Sequence, residues 1–178
     1  GQNLQAIIES VGLINGEVVF SQNKVDTKAM AAFYNMADVT VNIADAEGFG
    51  LGTLESLSCE TPIIVTMTGG LQEQVTDGEQ WFGIGLEPAS KSVIGSQEIP
   101  YIYEDRVSQE SVVDALTDLY NKRDELGKMG ELGREHVLKN YNYKDFCKSW
   151  DGLLKAINDR YGSWENRKNY KAWELIEV

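Results

Sequence analysis

Apolar positions along the chain change period repeatedly, and the changes divide it into elements. In NLQAIIESVGL, Leu4, Ile7, Ile8 and Val11 recur at helical spacing, with Asn3 as a cap and Gly12 near the stop. EVVF, residues 17–20, predicts a short strand, and Asp26 predicts the cap of a helix over DTKAMAAFYNM, with Ala, Met and Phe inward. The β-branched run DVTVNI at 38–43 predicts a second strand, followed by a glycine-bearing bend and a helix from about Leu51 to Cys59. PIIVTM at 62–67 is continuously apolar, as a strand buried on both faces of a parallel sheet would be. GGLQEQV predicts a short helix and WFGIGLE a return to the sheet. This alternation predicts an α/β domain of three layers: a Rossmann-like parallel sheet with flanking helices.

Residues 88–107 break the rhythm. Pro88, Gly95 and Pro100 punctuate PASKSVIGSQEIPYIYEDRV, which predicts an irregular loop with at most a short strand at YIY. From Ser108 the pattern is helical through SQESVVDALTDLYNKRDEL, LGKMGELGREHVLKNY and YKDFCKSWDGLLKAINDRY, and WENRKNYKAWELIEV predicts one more helix. The expected division is a main domain over 1–157 and a helical tail over 158–178, part of the same domain or crossing to another. A complete sheet needs a strand before the first helix, yet the chain opens on NLQAII. The expectation is therefore that a first strand–helix unit, and a partner domain, lie upstream.

Composition narrows the partners. The chain has 178 residues, 42% hydrophobic and 10% aromatic, enough for a core and too apolar for disorder. Lys and Arg number 16 against 28 Asp and Glu, a formal charge of -12 that opposes binding to nucleic acid. No run reaches the roughly 20 apolar residues of a membrane span. Cys59 and Cys147 make no disulfide framework and no metal-ligand spacing, so reduced thiols and no metal are expected. His136, the sole histidine, reads as a helical packing residue, and the four tryptophans are too dispersed for a stacking platform.

The chemistry concentrates in AEGFGLGTLESLSCETPIIVTMTGG, residues 46–70. A strand–bend–helix order puts this bend beyond the carboxyl end of a parallel strand, where ligands bind in such folds. Gly48 and Gly50 let the backbone approach a ligand, and a helix starting near Leu51 offers free N–H groups to an anion without any lysine. Glu47 and Glu55 flank the glycines, and a carboxylate in the first turns of that helix can accept from a sugar diol. A nucleotide sugar, with ribose, diphosphate and sugar in sequence, matches that layout. On spacing alone a first-turn acid and a solvated loop acid remain the plainer reading. No GK[ST] follows the glycines, so this is no P-loop.

The same stretch resembles the donor-binding signature of group 1 glycosyltransferases, retaining enzymes of the GT-B fold. The matching positions are Glu47, Gly48, Phe49, Gly50, Glu55, Thr61, Pro62, Gly69, Gly70 and Glu73. Gly52 and Glu60 stand where the family has Pro and Gly. The resemblance covers roughly 1–157 and implies the C-terminal half of a GT-B fold. It implies that Glu55 holds the ribose of a nucleoside-diphosphate sugar and that Glu47 contacts the donor sugar. Amides of Phe49, Gly50 and Leu51 would receive the diphosphate. Val19, Phe20, Ser21 and Gln22, at the end of a strand, would lie near the base, and Gly69 and Gly70 beside the transferred sugar. The implied reaction moves a sugar to an acceptor hydroxyl on a carbohydrate, lipid-linked glycan or protein, with no further cofactor. The family's basic residues and acceptor domain would lie in the missing N-terminal region, and this chain alone would be inactive. The expected location is cytoplasmic, or peripheral to a membrane through those regions. The alternatives are a non-catalytic nucleotide-sugar-binding or scaffold domain, and a nucleotide-sugar epimerase of the same fold.

Overall fold

The computed structural model describes residues 3–21 and 23–169. Asn3 accepts from the Ala6 amide at 3.2 Å and starts α1 (Leu4–Ser10), which buries none of its residues. Asp26 caps α2 (Thr27–Met36) by accepting from the Ala29 amide at 2.8 Å. The expected inward residues Met30 and Phe33 remain 36% and 46% exposed, so α2 rests against its neighbours without entering a core. β1 (Thr40–Asn42), α3 (Leu51–Ser58), β2 (Ile63–Thr66), α4 (Leu71–Val75) and β3 (Gly83–Leu86) then follow the predicted alternation.

β1, β2 and β3 form one parallel sheet in that order, with Thr40 opposite Ile63 and Ile63 opposite Gly83. All four residues of β2 are buried, because side chains alternate between two covered faces. Ile63 and Val65 join Leu57, Leu71, Val75, Phe82 and Val137 on the face covered by α3, α4 and the later helix over Leu126–Asn140. Ile64 joins Leu86, Ala115 and Leu119 on the other face, against the helix over Gln109–Asn121. Each such fully buried aliphatic side chain contributes about 1.5–3 kcal/mol, so the central strand anchors both cores. The covering helices are α5 (Gln109–Asn121), capped by Ser108, and α6 (Leu126–Asn140), which follows a 3-10 turn.

Two expectations about strands fail. Residues 17–20 form no strand. Gly16 takes φ +92°, the Glu17 carboxylate accepts from the Asn15 amide at 2.7 Å, and Val19 is 85% exposed. Among the described residues no partner strand lies beside this run, and β-propensity counts for little without one. The 88–107 segment is not irregular. β4 (Ser90–Ile94) and β5 (Ile102–Arg106) pair antiparallel with Ser90 opposite Arg106 and Ile94 opposite Ile102, as a hairpin apart from the main sheet. Pro100 falls in its connecting turn, where a missing N–H costs no ladder bond.

The last helix among the described residues, α7 (Tyr143–Tyr161), runs unbroken across positions 157 and 158. Its Asn142 cap accepts from the Lys144 amide at 2.9 Å, and it buries none of its residues. Residues 164–169 of the expected final helix are not helical; the remainder of that segment lies outside the described residues. Among the described residues no helix is long and apolar enough to cross a membrane, and no metal-binding cluster of His, Cys, Asp or Glu is present.

Candidate functional site

The bend over 43–50 leaves the carboxyl end of β1 and enters α3 through Gly50, at φ +86° and ψ 60°. That left-handed conformation is one only glycine adopts at little cost. The loop over 67–70 leaves the carboxyl end of β2 and meets the bend directly. The Gly70 amide donates to the Gly48 carbonyl at 3.1 Å. Gly69, at φ +49°, packs so tightly that a Cβ there would overlap the Glu47 carbonyl. The structure thus brings Glu47, Gly48, Gly69 and Gly70 together at one edge of the sheet.

Two buried side chains hold the bend from beneath. Gln74 of α4, fully buried, donates from Nε2 to the Phe49 carbonyl at 2.6 Å. Thr53 of α3, 1% exposed, has one hydroxyl hydrogen for two acceptors: the Gly50 carbonyl at 2.8 Å and Gln74 Oε1 at 2.6 Å. The carbonyls of residues 48, 49 and 50 are thereby turned towards the protein. The amides of Phe49, Gly50, Leu51 and Gly52 donate to no group among the described residues, and no side chain caps α3. Partial positive charge from the helix end adds to these donors. Such an arrangement suits an anion with several oxygens.

Neither Thr53 nor Gln74 figured among the residues expected from sequence. A signal was present in LQEQV: Leu71, Gln74 and Val75 share the buried face of α4, and a glutamine there needs a polar partner. Above the bend, the Phe49 ring meets Tyr141 edge-on at 5.9 Å, and Tyr141 meets His136 at 5.7 Å. His136 Nε2 lies 2.9 Å from the Glu73 carbonyl, which can only accept, so this nitrogen carries the proton. Asn140 Nδ2 reaches Nδ1 at 2.9 Å. Nε2 of His136 thus joins α6 to α4, while Nδ1 is engaged by Asn140 within α6 itself, a helical role of the kind expected for it.

The carboxylates occupy different surroundings. Glu47 is half-buried and accepts from the Gly48 amide at 3.0 Å. Glu55, one turn into α3 and exposed, accepts at Oε2 from the Tyr34 hydroxyl at 3.1 Å. Burial first, and the hydrogen bond to Glu55 second, push the Tyr34 phenol up to about 12. Glu55 and Tyr34 also line a cavity of about 340 Å³ between α2 and α3, with Val25, Met30, Ser58 and Cys59. That cavity includes neither Glu47 nor the glycines, so the bend is a cradle beside it, and Glu55 and Tyr34 adjoin both. Val19, Phe20 and Ser21 belong to the irregular segment, and no hydrogen bond joins them to the bend; Gln22 lies outside the described residues. The expected placement of Val19, Phe20 and Ser21 at a strand end is therefore not met.

Residues 2–136 match the family described as glycosyl transferases group 1. A D-inositol 3-phosphate glycosyltransferase of Paenarthrobacter aurescens (strain TC1) is 31% identical over 136 residues, 76% of this chain and 28% of that relative. The chain therefore spans little more than a quarter of that relative's length. Among solved structures, a sucrose-phosphate synthase from Thermosynechococcus elongatus superposes with a TM-score of 0.69 at 22% identity, over 88% of this chain and 34% of that one. The C-terminal domain of a glycosyl transferase group 1 family protein from Francisella tularensis gives a TM-score of 0.59 at 23% identity, over 79% and 61%. At those identities the likeness is one of fold.

Proposed function

The chain belongs to the group 1 glycosyltransferases, and from that premise we propose that it forms the donor-binding part of an enzyme moving a sugar from a nucleoside-diphosphate sugar to an acceptor hydroxyl with retained configuration. The observation that carries this reading is the run of amides from Phe49 to Gly52 that donate to no group among the described residues, on a bend whose Phe49 and Gly50 carbonyls are turned inward by Gln74 and Thr53. The diphosphate would sit on those amides. Donors fixed before the reaction need no reorganisation as charge develops on the leaving group, and one such donor is worth about 2.7–4 kcal/mol in catalysis. Glu55 would accept from the ribose hydroxyls. Glu47, beside Gly69 and Gly70, would accept from hydroxyls of the transferred sugar. The base falls to the α2 side of Glu55, where Val25 and Met30 line the adjoining cavity. The reading takes the acceptor, and the cationic partner for the diphosphate, from a further domain of the enzyme.

The test is a titration of the 15N-labelled chain with UDP, GDP and ADP. Millimolar or tighter binding of one nucleotide, with the largest amide shifts at residues 49–52, is expected. Absence of binding to all three at millimolar concentration, or shifts confined to α5 or α7, would overturn the reading.

A further inference from the structure

A glutamate in the second turn of a helix has three flexible torsions, and an exposed one samples many rotamers. Glu55 is exposed but not free, because the Tyr34 hydroxyl holds Oε2 at 3.1 Å. The tyrosine is itself held. Its backbone carbonyl accepts from the Thr61 hydroxyl at 2.7 Å, and Thr61 is 3% exposed, in the turn that leads into β2. A phenol has only two torsions, so fixing its backbone largely fixes its oxygen. Residue 52 stands beside that oxygen: a Cβ on Gly52 would lie 3.4 Å from Tyr34 Oη, already in van der Waals contact with it. A glycine in the first turn of a helix costs roughly 1 kcal/mol of propensity relative to alanine, and nothing in the backbone angles at Gly52 demands it.

We infer that Tyr34 is a positioning residue for Glu55, holding Oε2 so that the carboxylate meets two neighbouring ribose hydroxyls in a fixed orientation, and that Gly52 supplies the space. The inference rests on the reading of Glu55 as the ribose acceptor. A carboxylate has about four lone-pair directions. The tyrosine takes one, Oε1 is left open, and the rotamer is set before the ligand arrives. The raised pKa of Tyr34 keeps the phenol a donor well above neutral pH. The consequence is discrimination: a ribonucleotide gains from the fixed carboxylate and a 2′-deoxyribonucleotide gains less.

Dissociation constants of paired ligands, UDP with 2′-deoxy-UDP and the GDP and ADP pairs likewise, read this directly in the wild-type chain and in Tyr34→Phe, Gly52→Leu and Glu55→Ala. The wild type should prefer the ribonucleotide by roughly tenfold, the worth of one hydrogen bond to a charged group. Tyr34→Phe should lower that preference to about threefold or less while leaving the deoxynucleotide affinity unchanged; Gly52→Leu, which adds bulk beside Tyr34 Oη, should lower the preference as well; Glu55→Ala should remove it. If Tyr34→Phe weakened both sugars equally, the residue would be a structural prop, and the inference would be wrong. An undiminished preference in Tyr34→Phe would also overturn it. Wild-type binding without any preference would remove the ribose role of Glu55, and no binding at all would remove the donor-site reading and this inference together.

Discussion

Two segments leave the carboxyl edge of the same sheet and are held in opposite ways. The bend over 43–50, after β1, is gripped from below by side chains with no exposure to solvent. The hairpin β4–β5, after β3, extends Val93, Tyr101 and Tyr103 outward at 56%, 66% and 71% exposure. Its hydrogen bonds and ion pairs to the bend, among the described residues, fall on Asp45. The Asp105 amide donates to the Asp45 carbonyl at 2.7 Å, while Arg106 pairs with the Asp45 carboxylate and, at 2.6 Å, with Glu104. Neutral hydrogen bonds inside the protein have no water to replace them, so breaking one strands a polar atom. Ion pairs in solvent are replaced by water and screened by salt. The bend is therefore built for a fixed shape and the hairpin for attachment.

The largest effect should follow from Gln74→Ala. It leaves the Phe49 carbonyl without its donor, takes an acceptor from Thr53 and opens a cavity under α4. Together these should cost about 2–4 kcal/mol, read as a lower urea midpoint at unchanged slope. Nucleotide binding should be lost under conditions where the variant is still folded. A variant that melted like the wild type would break the contrast between the two segments.

The parts of the molecule that sequence foretold are those where local pattern and tertiary demand agree. Ile63 to Val65 read as a strand covered on both faces because a parallel sheet accepts little else, and Asp26 and Asn3 read as caps because a side-chain oxygen near a helix start has few other uses. Val18 and Val19 failed because a strand needs a neighbour that local pattern does not reveal. The hairpin was hidden by Pro100 and Gly95, which read as breakers but form its turn; the alternation in IYEDR is masked by the absence of a buried face. At the site, the glycines and carboxylates were visible as residue types. Their separation into a cradle and an adjoining cavity was not, because it depends on where α2 lies against α3. Tyr34 reaches Glu55 across 21 positions, a pairing no period discloses.

Gly69→Ala tests the contact between the two loops that make the cradle. At φ +49°, with the Glu47 carbonyl where Cβ would stand, the substitution forces the loops apart. A loss of about 2 kcal/mol is expected, with the Gly70 amide becoming faster to exchange as its bond to Gly48 opens. Thr66→Val runs the other way. Thr66 ends β2 at the same edge, is 1% exposed, and its hydroxyl lacks a partner among the described residues. Valine has nearly the same shape without an oxygen to leave unpaired, so a gain of about 1 kcal/mol is expected in a thermal melt. A loss instead would mean that this hydroxyl is satisfied by solvent, and that the edge is wetter than its burial implies.

Arg106→Gln should have the smallest effect on stability and the most local one. Its guanidinium is 37% exposed and its partner Asp45 47%, so the pair contributes about 0–1 kcal/mol. Removing it also leaves Asp45 and Glu104 without their shared cation; the other cation of the hairpin base, Lys91, is 66% exposed and pairs with Asp105 at 3.7 Å. The hairpin base should therefore loosen at low ionic strength and recover as salt screens the carboxylates, with the Debye length falling from about 30 Å at 0.01 M to 3 Å at 1 M. Hydrogen exchange resolves the two segments: amides at 102–106 should exchange faster in the variant at low salt, and amides on the 43–50 bend should not change. If the bend amides accelerated as well, the hairpin would be part of what shapes the cradle, and the opposition between a fixed bend and a tethered hairpin would give way to a single coupled edge.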